Sequence, residues 1–227
     1  MRKTQSKASD TRQKILIVSE ELIVEQGLEP MSIRDIIQRA EVNLAAVHYH
    51  FGSRHGLIDT AISERFSKML DTQDVLLAAF ESKNAKKNQS VNSAADAWFA
   101  CFSWLDHLSE KEAFRVLRLF GRLLQTQEGE LPDRAEMISQ RWNHHLKRAL
   151  LALLPEASGQ TIAERCLWIR GGMAAVLLGY RPDSARQTTE IISSLRRLFI
   201  ACVSGISLED APFTMDAEDP NQQHFSF

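Results

Sequence analysis

The chain has 227 residues, 44% of them apolar and 25% charged, with 27 Lys and Arg against 29 Asp and Glu. This describes a globular protein with a sizeable core and excludes a disulfide-stapled miniprotein, a collagen-like chain and bulk disorder. A formal charge of −2 advertises neither nucleic acid nor membrane, so any such surface is local.

Cys101, Cys166 and Cys202 lie far apart and form neither a disulfide framework nor a Cys-x-x-Cys site, which fits a reducing compartment. The polar, basic start MRKTQSKASDTRQK does not read as a secretory signal. The longest nearly uncharged apolar run, residues 171–180, is about half the ~20 residues of a membrane span. Together these features predict a cytoplasmic protein without membrane contact.

Ile15, Val18, Leu22 and Val24 recur at near-helical spacing and predict a first helix over residues 10–26, stopped by Gly27. Ser32 caps a second, short helix, with Asp35 in a capping-box position and Ile33, Ile36, Ile37 and Ala40 on the inner face. Asn43 caps a third, in which Leu44, Val47 and Phe51 precede a stop at Gly52 and Ser53. A longer helix starts at Arg54 and carries apolar residues from Leu57 to Leu70, continuing to about residue 80.

The Lys-, Asn- and Ser-rich stretch 82–92 reads as a loop. Five further helices follow over residues 94–108, 113–124, 137–154, 162–180 and 191–203, with no alternating pattern for a strand. The prediction is an all-α fold of about nine helices. Residues 208–227 hold five acids, two Pro and no Lys or Arg, and read as a flexible acidic tail.

Two short capped helices joined by Glu41, Val42 and Asn43, and held between two others, have helix-turn-helix spacing. The first braces the second, whose outer side chains enter the major groove while Val47 and Phe51 anchor its inner face. Residues 31–62, MSIRDIIQRAEVNLAAVHYHFGSRHGLIDTAI, resemble the TetR family of one-component transcriptional regulators in four ordered features: the capped Ser-Ile-Arg-Asp start, the Ala-x-Val turn, the Val-His-Tyr-His-Phe segment and the Gly-Ser-Arg opening of the fourth helix. The resemblance implies a helix-turn-helix DNA-binding domain at 1–53, a connecting helix at 54–80, a larger helical effector-binding and dimerisation domain at 81–207, and the tail at 208–227.

It also implies that Arg34, Leu44, Ala45, Ala46 and His48 approach bases while Ser32, Tyr49 and Arg54 hold the phosphate backbone, with Asn43 and His50 on the same surface. The residue types suit those roles. Arg binds guanine O6 and N7 bidentately, Ala and Leu meet thymine methyls, and hydroxyl, phenol and guanidinium groups suit phosphate oxygens. Glu41 departs from the family's usual turn glycine, at a cost of roughly 1–2 kcal/mol for a left-handed residue carrying a Cβ. His48, His50 and His55 predict DNA binding that strengthens as pH falls through ~6.5. Arg2, Lys3, Lys7, Arg12 and Lys14 predict a flexible basic arm that reaches the minor groove or backbone.

In the C-terminal part, Trp98, Phe102, Phe114, Leu117, Trp142, Leu146, Trp168 and Met173, with Arg118, are candidates for an effector pocket suited to a hydrophobic acid. The VNLAAVHYHFGS stretch resembles fatty-acid-responsive members of the family. The resemblance places dimerisation on the last two helices, giving Gly172, Ala175, Leu195 and Phe199 as interface candidates. The histidines show no metal-ligand spacing and no nucleophile elbow or phosphate loop occurs, so no metal, cofactor or enzymatic activity is expected. The resulting functional reading is a repressor that binds a pseudo-palindromic double-stranded operator as a homodimer and is released by a small hydrophobic effector such as a fatty acid or acyl-CoA. The alternative is a helical protein-protein interaction module without sequence-specific DNA binding.

Overall fold

A computed structural model describes residues 2–84, 90–127, 129–179 and 188–205. Helix α1 (Arg2–Gln26) begins eight residues ahead of the expected start at Asp10. The polar stretch before Asp10 contains neither Gly nor Pro to halt it. The expected flexible basic arm is therefore helical backbone. Gly27, at φ +98°, ends the helix.

Helices α2 (Ile33–Ala40) and α3 (Leu44–Phe51) form where their caps place them. Ser32 Oγ accepts the Asp35 N–H at 3.2 Å and donates to the Asp35 carboxylate at 2.6 Å. Asn43 Oδ1 accepts the Ala46 N–H at 2.8 Å. Each cap satisfies a helix-terminal donor that has no partner within the helix. Glu41 occupies the turn in the left-handed conformation, φ 51° and ψ 44°.

Helix α4 (Arg54–Asn84) is the longest element. The single helix expected over residues 94–108 is instead α5 (Val91–Phe99), capped by Ser90, followed by a 3₁₀ helix over Ala100–His107. Phe99, Phe102 and Leu105 explain the change: they are three residues apart and all buried, and a helix of three residues per turn sets them on one face. The remaining elements are α6 (Glu110–Gln125), α7 (Asp133–Leu153), α8 (Gly159–Gly179) and α9 (Thr188–Ser204). Nine α-helices and no strand occur among the described residues, and no helix there is long and apolar enough to cross a membrane. Residues 85–89 of the expected loop and the expected tail at 208–227 lie outside the described residues.

Helices α1 to α3 and the start of α4 share one core, with Ile15, Ile23, Met31, Ile36, Val47 and Leu57 fully buried. In the body α4 packs chiefly on α7, and α6 on α8. Gly121 permits the second contact, since a Cβ there would come within 2.9 Å of the Leu177 Cβ.

The N-terminal helices are fastened to the body by charge. The carboxylate of Glu20 on α1 is buried and accepts from Arg65 Nε on α4 at 2.5 Å and from Arg115 Nε on α6 at 2.9 Å. Arg122 on α6 donates to the Val24 carbonyl at 3.2 and 2.9 Å through Nε and Nη2. A buried carboxylate shared by two guanidinium groups is satisfied as a set, and removing one member leaves the others uncompensated.

Candidate nucleic-acid interface

Helix α3 presents one face inward and one outward. Val47 and Phe51 are buried against α1 and α4, as the spacing of apolar residues requires. On the other face Leu44 is 49% and Tyr49 80% exposed, and Ala45 and His48 are open to solvent. Ala46 and His50 are half-buried, and Ala46 packs on the core. Tyr49 meets His50 edge-on at 4.9 Å between ring centroids, so its phenol projects outward rather than against α1.

His48 Nδ1 lies 2.7 Å from the Gly52 carbonyl. A carbonyl only accepts, so Nδ1–H is the donor and Nε2 faces outward, an acceptor when the ring is neutral and a donor when it is charged.

On α2, Arg34 is exposed and takes no hydrogen bond or ion pair among the described residues. Its neighbouring cations are committed. Arg39 bonds both carboxylate oxygens of Glu25, at 2.5 and 2.7 Å, and this hydrogen bond holds the Glu25 carboxyl below its usual range. Lys14 pairs with Glu41 at 3.3 Å. Arg12 pairs with Glu64 at 2.5 Å and lies 5.5 Å over the Phe51 ring. Among the described residues Arg34 therefore stays available to an incoming anion.

Two of the sequence-derived residues sit differently from the rest. Ser32 spends its hydroxyl on the α2 cap. Arg54 turns its guanidinium into the loop between α1 and α2, donating to the Met31 carbonyl at 2.6 Å, the Glu29 carbonyl at 2.8 Å and the Leu28 carbonyl. Its evident work is to fix that loop against the start of α4. The structure leaves Arg34, Asn43, Leu44, Ala45, His48 and Tyr49 exposed, with Ala46 and His50 half-buried.

The candidates in the body are redistributed. Trp98, Phe102, Leu117, Trp142, Leu146 and Met173 are buried and fill the core instead of lining a space. Trp98 lies 6.0 Å from Trp142 and 5.8 Å from Phe199 between ring centroids, and Phe120 lies 5.7 Å from both Phe102 and Trp142. The cavity beside Trp98, Gln73 and Ala149 measures about 10 Å³, room for no more than a water. Phe114 and Arg118 are half-buried and pair with each other, the guanidinium 5.9 Å from the ring. Trp168 is a surface residue and lies apart from the others.

Among the interface candidates, Leu195 and Phe199 are fully buried inside their own chain, because α9 turns that stripe toward α5 and α8. Gly172 brings α8 against α9: a Cβ there would lie 2.8 Å from the Leu198 Cδ2. Ala175 is exposed, on a face of α8 that also carries Leu167 at 68% and Trp168 at 48% exposure. The cluster formed by Glu20, Arg65, Arg115 and Glu112 was not legible in the sequence, since its members lie up to 95 residues apart with no local signal.

Residues 15–61 match the model described as bacterial regulatory proteins, tetR family. No curated protein matches the chain. Among solved structures the fold is similar to three regulators. The TetR family transcriptional regulator PfmR from Thermus thermophilus has TM-score 0.55 and 16% identity, over 85% of this chain and 98% of that one. FadR from Bacillus subtilis, in complex with stearoyl-CoA, has TM-score 0.55 and 14% identity over 84% and 98%. The fatty acid degradation regulator FadR from Bacillus halodurans has TM-score 0.53 and 12% identity over 83% and 97%. At these identities the structural likeness is one of fold, and the family rests on the matched module within it. The helix-turn-helix module at residues 15–61 is that of the bacterial regulatory proteins of the tetR family, and the helical fold that carries it is similar to that of TetR-family regulators.

Proposed function

We propose that the chain is a repressor that binds a pseudo-palindromic operator as a homodimer and is released by a small hydrophobic acid. The observation that carries DNA binding is the uncommitted face of α2 and α3: Arg34 without an ion pair beside exposed Leu44, Ala45, His48 and Tyr49. Arg34 supplies guanine readout, Leu44 and Ala45 meet thymine methyls, and Tyr49 and Asn43 hold phosphates. Residues 1–53 form the reading domain, residues 54–80 of α4 connect it, and residues 81–207 form the effector and dimer domain.

Dimerisation through α8 is supported by its exposed Leu167, Trp168 and Ala175, a face that two-fold symmetry makes self-complementary. A dimer sets two α3 helices on half-sites about one helical turn, or 10–10.5 bp, apart or a multiple of it. An effector that binds the DNA-incompetent arrangement better shifts the population away from the operator by its differential affinity. The fatty-acid or acyl-thioester class is supported by the fold shared with the stearoyl-CoA-bound regulator.

The test is a fluorescence-anisotropy titration of the full chain against the duplex upstream of its own gene and a shuffled duplex of equal length at physiological salt. Nanomolar preference for the native duplex is the expected result. If that duplex and the best duplexes selected from random sequence bind no better than the shuffled one, the reading is wrong.

A further inference from the structure

Trp98, Phe102, Leu117, Trp142, Leu146 and Met173 are buried in the core of the body, and a groove of about 800 Å³ runs along its surface between α4 and the first half of α7. That is within the ~300–1,000 Å³ range of small-molecule sites. Ser63 and Ser67 on its α4 wall direct their hydroxyls to carbonyls of their own helix, so they offer no spare hydroxyl proton to the groove. The α7 wall contributes Ile138 and Met137, the latter 66% exposed.

The rim carries Lys68, Arg134, Arg141 and His144. Lys68 makes no hydrogen bond or ion pair through its ammonium, nor His144 a hydrogen bond through its ring, among the described residues. Arg134 is oriented by Asp59, with Nε 2.5 Å from Oδ2, and Arg141 by Asp71 at 2.8 Å and by Asp74. In both, Nη1 has no partner among the described residues. Glu64, the one acid in the lining, is taken by Arg12.

We propose that the α4–α7 groove is a ligand site for an amphipathic carboxylate, whose head is taken by Lys68 with Arg134 or Arg141 and whose apolar chain lies over Met137 and Ile138. The aspartates order these arginines and also neutralise them, so Lys68 supplies the site's net charge and a remaining Nη1 of Arg134 or Arg141 an already oriented second donor. A flexible, polarisable methionine on an open wall suits a chain of variable shape. The groove also faces the right elements for a regulatory consequence. Its α4 wall is tied to α1 through Glu64 and Arg12, and its two walls are pinned together by the Asp59–Arg134 and Asp74–Arg141 pairs. A carboxylate that competes for these arginines changes how α4 sits on α7, and α4 carries the DNA-reading helices. That consequence rests on the proposed regulator, whereas occupation of the groove does not.

The site is tested without DNA, with 11-(dansylamino)undecanoate as a fluorescent probe and its methyl ester as the uncharged twin, titrated into the full chain. The expected result is one probe per chain, at least tenfold weaker binding of the ester, and at least tenfold loss in Lys68→Glu and in Met137→Glu. Both replaced side chains are exposed, so melting temperature in each variant stays near that of the parent. Trp142→Phe, a conservative change in the filled interior, leaves the probe affinity unchanged. No binding by the parent chain, equal affinity for acid and ester, retention of binding in both groove variants, or its loss in Trp142→Phe would each overturn the site. Failure of operator binding leaves this titration intact, so the two readings fail separately.

Discussion

At the residue scale, Glu41, Arg34 and Arg54 separate conformation from contact. Glu41 holds a left-handed turn with φ 51° and gains in return only an exposed pair with Lys14. Exposed pairs contribute under ~1 kcal/mol, against roughly 1–2 kcal/mol for the conformation. Glu41→Gly therefore raises the urea midpoint, by a net stabilisation of up to about 1 kcal/mol once glycine's greater unfolded freedom is counted. A lower midpoint would show the turn to be unstrained. Arg34 and Arg54, both assigned to DNA by sequence resemblance, are expected to part company. Arg34→Ala keeps stability within about 0.5 kcal/mol, the usual range of a surface change. Arg54→Ala loses about 1–3 kcal/mol as the carbonyls of Leu28, Glu29 and Met31 lose their donors, and Arg54→Lys recovers little because it lacks the planar fork. Denaturant unfolding of the three variants checks both statements.

At the scale of elements, two seams hold the reading helices to the body. The first is the charge cluster of α1, α4 and α6, where Glu20→Gln leaves the half-buried Arg65 and Arg115 with only the longer pairs to Glu112, at 3.3 and 3.9 Å. A loss of about 3–5 kcal/mol is expected, measured by denaturant unfolding, and a loss below 1 kcal/mol would mean the cluster relaxes into solvent. The second is the α4–α7 seam, where His145 is buried with Nε2 2.6 Å from Asp74 Oδ1 and Nδ1 3.0 Å from Gln73 Oε1. Burial pushes the His145 imidazole below its ordinary range, opposed by Asp74. Burial of Asp74 opposes ionisation, but Arg141 and His145 hold its carboxyl below the usual value.

Both shifts have one sign in linkage. Below pH ~6.5 the unfolded chain takes up a proton at His145 that the native chain resists, and stability falls; Asp74 adds to the loss as pH drops through the carboxylate range. His145→Asn flattens the decline between pH 7 and 5, which thermal melts across that interval would show. The short elements were legible because a single side chain, Ser32 or Asn43, specifies each start. The break after Phe99 and the inward turn of Leu195 and Phe199 were not. Apolar spacing marks a stripe without stating which neighbour covers it, and three-residue spacing within 94–108 fits an α-helix almost as well as a 3₁₀ helix.

At the scale of the molecule, the charge that matters is local, as the near-neutral whole demanded. Among the described side chains Arg12, Lys14 and Arg39 are paired within the fold, and Arg34 and the outer face of α3 are left to meet an anion. The same holds for apolar surface. Of the aromatic residues that sequence alone could not divide between pocket and core, Trp98, Phe102 and Trp142 are core and Phe114 is half-buried, while Trp168 remains outside on α8 with Leu167 and Ala175. Leu167→Glu is expected to convert a dimer to a monomer in sedimentation equilibrium without lowering the melting temperature of the chain at low concentration. A variant that stays dimeric would move the interface elsewhere.

The account turns on α2 and α3 reading DNA. The most direct test is anisotropy titration of the parent and the Arg34→Ala, Tyr49→Ala double variant against the best duplex and its shuffled counterpart. The account predicts that the parent prefers the best duplex by ~10³-fold or more, the lower range for specific sites, and that the double variant loses about 100-fold on it with an unchanged melting temperature. Equal binding by parent and double variant, or equal binding to both duplexes, would contradict it.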